Sequence, residues 1–567
     1  MLTLYSHYLQ SNQAPSEDET REIKELRANP LEEISIINVE IEQIEGILNS
    51  LRRKRAHIQE SIDDFNTILA PVRRLSTDVL GVIFGHCLAT HQNPVMSASE
   101  APILLTRICR DWRSIAFSIP RLWSRLYIPT LPIVLNDRLE ALRHVLESDR
   151  GMEARTEEVQ RWLTLSAACP LAITLMDNDS VSHPPLLDVI IESSQRWQQL
   201  ELGCLSPKSD VSTRLLSLSP DDLCMLRELR IHSLYPMIDL VTREDLWYRS
   251  GPLTAEGLRS IFIAEMHQEN AFPTIVSPNW KNLNHLFIHS PISLGLAHSF
   301  LSHCCNLVAC LFEITLRWYD APTTPSSCIL PHLTFLSLQG DSTGCSKFFS
   351  SIEAPSLQIL DYQGYFPNES EEFGLLNFLQ KINSLKTFSV DQHHFTESNV
   401  LKYYTLIPSV THLVLGRVPK RSHLSSRISH YPFPENVILM TALHEIQHQY
   451  SPNSAPTVFF PSLEIFEAYD IPGVTDIMLL EFIKGRIDAT KSNAGVSKLK
   501  KVLAGFSGSR QTDVVPEALA YAQAAGITLK LDLTYYPKEW DATIWSPSFG
   551  LSLDDISWGY PLINYYD

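Results

Sequence analysis

No run of about 18 apolar residues occurs in the chain, so no transmembrane helix and no membrane partner are expected. The first residues, MLTLYSHYLQSNQAPSEDETREIK, lack a basic start followed by an apolar core, which argues against a secretory signal. No two of the 10 cysteines form a C-x-x-C pair, and most sit in apolar surroundings. Buried, reduced thiols are expected, and with them a cytoplasmic or nuclear location. Positive charge is scarce: 46 Lys and Arg stand against 64 Asp and Glu, a formal net charge of −18. A nucleic-acid surface needs a clustered basic footprint, so no nucleic-acid partner is expected. There is no G-x-G-x-x-G, no P-loop and no G-x-S-x-G. No cofactor is expected.

What is present is globular in composition, 44% hydrophobic and 19% charged. A chain of 567 residues is too long for one ordinary core, which implies two to four units. Residues 1–30 are polar and end at Pro30, and are expected to be disordered. Residues 31–70 carry the cleanest periodicity. Ile34, Ile37, Ile41, Ile44, Leu48, Leu51, Ile58, Ile62, Phe65 and Leu69 alternate by three and four, with Arg55 at one seam position. That spacing is the heptad of a coiled-coil helix, about five and a half repeats long. Its seam can pair with a copy of itself, giving a homodimer through 31–70, or pack on the rest of the protein. The only dense basic run, Arg52–Arg53–Lys54–Arg55, lies inside this helix and reads as a solvated face. Pro71 stops the helix.

Residues 71–128 contain two helical patterns. Leu75, Val79, Leu80, Ile83 and Phe84 mark one apolar face, with Ser76 or Thr77 placed to cap it. A polar break, THQNPVMSASEAP, leads to Ile103, Leu104, Leu105, Ile108, Trp112, Ile115 and Ala116, and Pro120 ends that pattern. The order Leu75-Ser-Thr-Asp-Val-Leu80, Ile83-Phe84, Ile108-Cys-Arg-Asp-Trp112-Arg-Ser-Ile-Ala116 and Leu122-Trp123 resembles an F-box. The heptad helix running into it resembles the F-box proteins of mushroom-forming fungi. The resemblance covers about a tenth of the chain. It implies an all-α module that docks the Skp-family adaptor of a cullin-RING ubiquitin ligase. The residues it points to for that contact are Leu75, Leu80, Ile83, Phe84, Leu104, Leu105, Ile108, Trp112 and Trp123. Two departures are Ser76, where the family has a proline that starts the helix and touches the adaptor, and the length of the insertion after Leu88.

Residues 129–195 read as a helical connector, one helix on Leu135, Leu139, Leu142, Val145 and Leu146, another on Val159, Leu163 and Ala167, then a strand LAITL. From 196 to 534 a signature recurs: leucine, two residues, an apolar residue, one residue, an apolar residue. LRELRI, LRSIFI, LNHLFI, LTFLSL, LQILDY, LKTFSV, VTHLVL and LEIFEA carry it, with WQQLEL and LVACLF as weaker copies. Successive copies start 24 to 32 residues apart, with one gap of 53. Self-similarity at this period marks a leucine-rich-repeat solenoid, an α/β array with one parallel strand per copy. The overall class is therefore α+β: a coiled-coil helix, an all-α module and a solenoid, closed by an aromatic cap at 535–567.

The residues between the buried strand positions, Arg230, Phe262, Phe287, Ser337, Asp361, Ser389, Val414 and Glu467, are expected to face outward on the open side of the sheet. Arg230, Phe262, Phe287, Asp361 and Glu467 are the candidate contacts for a protein substrate. One enzyme-like motif occurs, His444-Glu445-Ile446-Gln447-His448, in the 53-residue gap. On a helix its histidines could share a zinc ion with the glutamate activating water. The candidate third ligands, Glu464 and Glu467, belong to a repeat strand and not to the helix a zinc protease would supply, so neither a metal nor an enzyme is expected. The reading is a non-catalytic substrate receptor. The alternatives are a scaffold with a degenerate box and a zinc hydrolase.

Overall fold

The computed structural model describes residues 5–9, 11–90, 92–128, 149–176, 184–203, 210–234, 250–266, 278–315, 327–365, 373–390, 405–416, 460–469, 474–492, 495–506 and 510–535. The chain divides into two compact units, Met1–Ile83 and Phe84–Asp567. Among the described residues no helix is long and apolar enough to cross a membrane.

The first unit is dominated by α1 (Glu17–Leu69), a single helix of 53 residues. The expectation of disorder up to residue 30 is corrected, because the helix begins at Glu17 and Pro30 lies inside it. A helix start needs caps and charge rather than apolar residues, and this stretch supplies them. The Ser16 hydroxyl accepts from the Glu19 N–H, and the Glu19 carboxylate accepts from the Ser16 N–H at 2.9 Å. Glu17, Asp18 and Glu19 complement the dipole of the first turn. Tyr8 then donates to the Glu19 carboxylate at 2.9 Å, tying the preceding 3-10 turn to the helix. Pro30 removes one intrahelical hydrogen bond without ending the helix. No residue of α1 is buried.

The helix α2 (Thr77–His86) follows. The Ser76 hydroxyl accepts from the Val79 N–H at 3.4 Å. The serine thus caps the helix at its N-terminus.

In the second unit, α3 (Leu105–Ile108), α4 (Arg110–Ser118) and a 3-10 turn (Pro120–Trp123) lead into β1 (Arg125–Ile128). β1 is the first strand of a 14-stranded sheet that ends at Lys530–Tyr535. Its strands are parallel, and each pairs with the strands before and after it in chain order. A separate two-strand pair joins Cys328–Ile329 to Ile352–Glu353. Two sequence boundaries are therefore corrected. The stretch 71–128 is not all-α, since its last residues form β1. The stretch 129–195 is not a connector, since Leu171–Met176 is the second strand of the sheet. The helix α5 (Asp149–Leu165) carries Trp162, whose indole lies 4.9 Å from that of Trp123 and donates to the Arg125 carbonyl at 3.2 Å. The connector helix expected around Leu139 lies outside the described residues.

Every copy of the leucine signature falls on a strand, because its two apolar positions point to one side of the pleat. Leu229 and Ile231, Leu286 and Ile288, and Leu360 and Tyr362 are all buried there. The leading leucine precedes the strand and is buried at Leu226, Leu258, Leu283, Leu333, Leu357, Leu385 and Leu463. A second regularity lies three residues earlier. Leu226 N–H donates to the Leu223 carbonyl, Leu283 to Trp280, Leu333 to Leu330 and Leu463 to Phe460, so a tight apolar turn introduces these strands. Helices Leu294–His303, Ser342–Ser351 and Phe373–Gln380 contribute Phe300, Phe348 and Phe378 to the core. Phe312 of the sheet lies 6.1 Å from Phe348. Gly340 has φ of +128°, and a Cβ there would sit 1.9 Å from the Ile314 carbonyl oxygen, so that position admits only glycine.

Among the described residues three cysteines, 304, 310 and 345, are buried, and burial pushes the Cys304 thiol up to about 12. Cys87, Cys109, Cys224 and Cys305 are exposed, against the expectation of buried thiols.

Candidate functional site

Two surfaces lie where the sequence places function: the helices before the sheet and the open side of the sheet. In the helical block the Cys-Arg-x-Trp-Arg order has a local cause. The Cys109 sulfur caps α4 by accepting from the Trp112 N–H at 3.4 Å. Arg113 reaches back to the Thr106 carbonyl at 2.7 Å and ties α4 to α3. Trp112 packs on Phe84 with ring centroids 4.9 Å apart. Trp123 donates from its indole to the Ala116 carbonyl at 2.9 Å and stacks on Phe117.

That packing divides the residues proposed for adaptor contact. Phe84 is 0% exposed, Trp123 is 4% exposed, and Leu80 and Leu105 are also buried. Buried side chains such as these present little surface to a partner. Sequence periodicity shows which face of a helix is apolar and cannot tell whether that face meets its own fold or a partner. Trp112 is half-buried. Leu104 at 38% and Ile108 at 55% stay exposed on the second unit. On the first unit, Leu75 and Ile83 are exposed, as are Val79 and Val82.

The long insertion after Leu88 has a structural role that sequence reasoning missed. Val95 bridges Tyr127 of β1, and the Tyr127 N–H donates to the Pro94 carbonyl at 2.9 Å. Buried Asn93 donates to the Thr174 hydroxyl at 2.9 Å and to the Ala172 carbonyl at 3.3 Å, and accepts from Arg125 at 2.9 Å. The segment covers the outer edge of the first strand, where an uncovered ladder would template aggregation.

On the open side, the residues named from the signature stand in one continuous register. Arg230 pairs with Phe262, Phe262 with Phe287, Asp361 with both Ser337 and Ser389, and Val414 with Ser389 and Glu467. Tyr127, Thr174 and Glu201 extend the row on one side, and Leu503 and Asp532 on the other. Leu311 fills the step between Phe287 and Ser337. Apart from buried Thr174 and exposed Asp532, most of these side chains are half-buried rather than fully outward, since strands about 4.8 Å apart shade one another. Ser337 is 1% exposed and is corrected from surface to interior.

The row is chemically zoned. At its start, Glu201 accepts from Thr174 at 2.8 Å and lies 2.7 Å from His232 Nε2. Burial opposes its ionisation, but the bonds from His232 and Thr174 outweigh this and hold the carboxyl below the usual range. Arg230 pairs with Glu228 beside it. The middle is aromatic, with Phe262 5.1 Å from His289, and Phe287 6.4 Å from Phe335. Beyond it, Asp361 accepts from Ser337 at 3.0 Å and Ser389 at 2.8 Å. Further on, Glu467 meets His412 at 3.1 Å and accepts from Tyr469 at 2.8 Å. Burial again opposes Glu467, and these partners again win, lowering its carboxyl. Glu201 was legible as the between-position residue of WQQLEL, but Thr174 and Asn93 carry no such signal.

The zinc-type motif 444–448 and the aromatic tail beyond Tyr535 lie outside the described residues. Among the described residues no group of three or more His, Cys, Asp or Glu is placed to hold a metal ion. Such a row offers alternating charged, aromatic and hydroxyl contacts, which suits the binding of a peptide or protein surface. No protein-family model matches the chain, and no curated protein matches it.

Proposed function

We propose that this protein is a non-catalytic substrate receptor of a cullin-RING ubiquitin ligase. On this reading 71–128 is an F-box for the Skp-family adaptor. The sheet is then a degenerate leucine-rich-repeat solenoid whose open side takes a protein substrate. The observation that carries the reading is the packed block from Cys109 to Trp123, directly before the first strand, with Leu104 and Ile108 left exposed. Exposed aliphatic side chains on an ordered helical pair gain roughly 25 cal/mol per Å² when a partner covers them. Arg230, Phe262, Phe287, Asp361 and Glu467 supply the substrate side, with Phe262 and Phe287 as its apolar anchors.

The Ser76 departure bears on adaptor affinity alone, because Ser76 caps α2 and so starts the helix by another route. The test uses full-length protein and purified Skp-family adaptor in biolayer interferometry. Wild type binds at micromolar concentration, and the Leu104→Asp, Ile108→Asp variant, folded by circular dichroism, does not. Absence of binding by folded wild type would remove the adaptor role and leave the scaffold reading.

A further inference from the structure

The seam of α1 lies open along its length, with Ile34, Ile44, Leu51 and Phe65 each more than half exposed. We propose that α1 pairs antiparallel with α1 of a second copy of this chain, in the register that faces Leu48 with the partner's Leu51. This does not depend on the adaptor reading.

The argument is charge complementarity along a fixed heptad. Seam positions alternate by three and four from Ile34 to Leu69, and Arg55 occupies one of them. In a parallel pair in register, like faces like. Arg55 would then confront the partner's Arg55 inside the seam, and Glu40 would flank the partner's Glu45, because the flanking positions of a parallel pair meet five residues apart. Both contacts are repulsive, and the arginine pair would be desolvated.

Reversing one helix removes both conflicts at once. With Leu48 against the partner's Leu51, Ile41 meets the partner's Ile58 and Ile34 meets the partner's Phe65. Every seam layer between Ile34 and Phe65 is filled. Arg55 then faces the partner's Ile44, beside the partner's Glu45. Glu45 flanks the partner's Arg52, and symmetry makes that pair twice. The acidic stretch holding Glu40, Glu42 and Glu45 thereby lies along the basic run Arg52–Arg55 of the other copy. The overlap from Ile34 to Phe65 is roughly 48 Å long at 1.5 Å per residue. That exceeds the three to four heptads a coiled coil requires.

The test uses the full-length chain. A photoreactive benzoylphenylalanine replaces Glu45 in a mixture of isotopically light and heavy protein, and the mixed-isotope cross-links are mapped by mass spectrometry. The expected link joins position 45 to the partner segment around Arg52. A link to the partner segment around Glu40 overturns the proposal. Glu45→Arg provides an independent arm, read by sedimentation equilibrium. In the antiparallel pair it opposes two arginines and raises the dimer Kd about fivefold, and Arg52→Glu on the same chain reverses the change. Tightening by Glu45→Arg alone, which the parallel pair requires, overturns the proposal. So does a monomeric mass for the wild-type chain at tens of micromolar.

Discussion

Phe84 and Ile108 both belong to the apolar faces that the sequence offers for adaptor docking, yet the structure gives them opposite roles. Phe84 is 0% exposed and its ring sits 4.9 Å from Trp112. An aromatic side chain buries about 150 Å² or more, which at about 25 cal/mol per Å² is roughly 4 kcal/mol. That falls within the ~3–5 kcal/mol typical of Phe→Ala in a core. A loss of this size acting through local opening multiplies the open population by up to about a thousand. The suitable assay is native-state hydrogen exchange, because a chain of this size does not melt in one step. Phe84→Ala should speed exchange of the α4 amides by two to three decades (about 10²–10³). Ile108→Asp, at 55% exposure, should change them by no more than about twofold, as surface substitutions do. If Phe84→Ala exchanges like wild type and loses only the adaptor, the assignment of Phe84 to the core is wrong.

The remaining predictions concern the sheet. Asn93→Ala removes the bonds to Thr174, Ala172 and Arg125 that hold the edge cover, at a cost of about 2 kcal/mol. Protection of the Tyr127 amide should fall with it, and an unchanged Tyr127 amide would mean that Asn93 does not hold the cover. Burial holds the His285 and His298 imidazoles below their ordinary value of 6.5, so the native state binds fewer protons than the unfolded chain just below that value. Stability is then full above pH 6.5 and declines as pH falls below it. Glu201 and Glu467, whose carboxyls are lowered, add their loss only as pH falls below the ordinary 4.5. Melting temperature should therefore drop between pH 7.5 and pH 5.5, and His298→Gln should remove part of that drop. An identical pH slope in the variant would exclude His298 as a contributor.

The strands were legible because one leucine signature encodes three buried positions and leaves the position between the last two on the open side. The same rule shows why some strands were missed. At Lys501–Phe506 the signature persists as Leu499, Val502 and Ala504, but alanine weakens the apolar pattern. At β1 the leading leucine is replaced by Trp123, which forms the first buried step of the sheet. Packing gives that tryptophan to two helices. Its indole donates to Ala116 on α4 and its ring meets Trp162 on α5 in a T-shaped pair.

The candidate site was less legible than the fold for a related reason. A sequence pattern reports where apolar side chains gather, and a core and an interface gather them alike. Only the accessible area separates Leu105 from Ile108, although they lie in the same short helix. The open row was readable in register because strand pairing is set by the period of two. Its partners were not, because the Asn93–Thr174 and Asp361–Ser337 bonds join residues on different strands or loops. If a substrate binds this row, Glu201 and Asp361 already satisfy part of their hydrogen-bonding capacity internally, so they position their neighbours more than they attract a cation. Affinity then rests on Phe262 and Phe287, whose rings have no such competing bonds to give up.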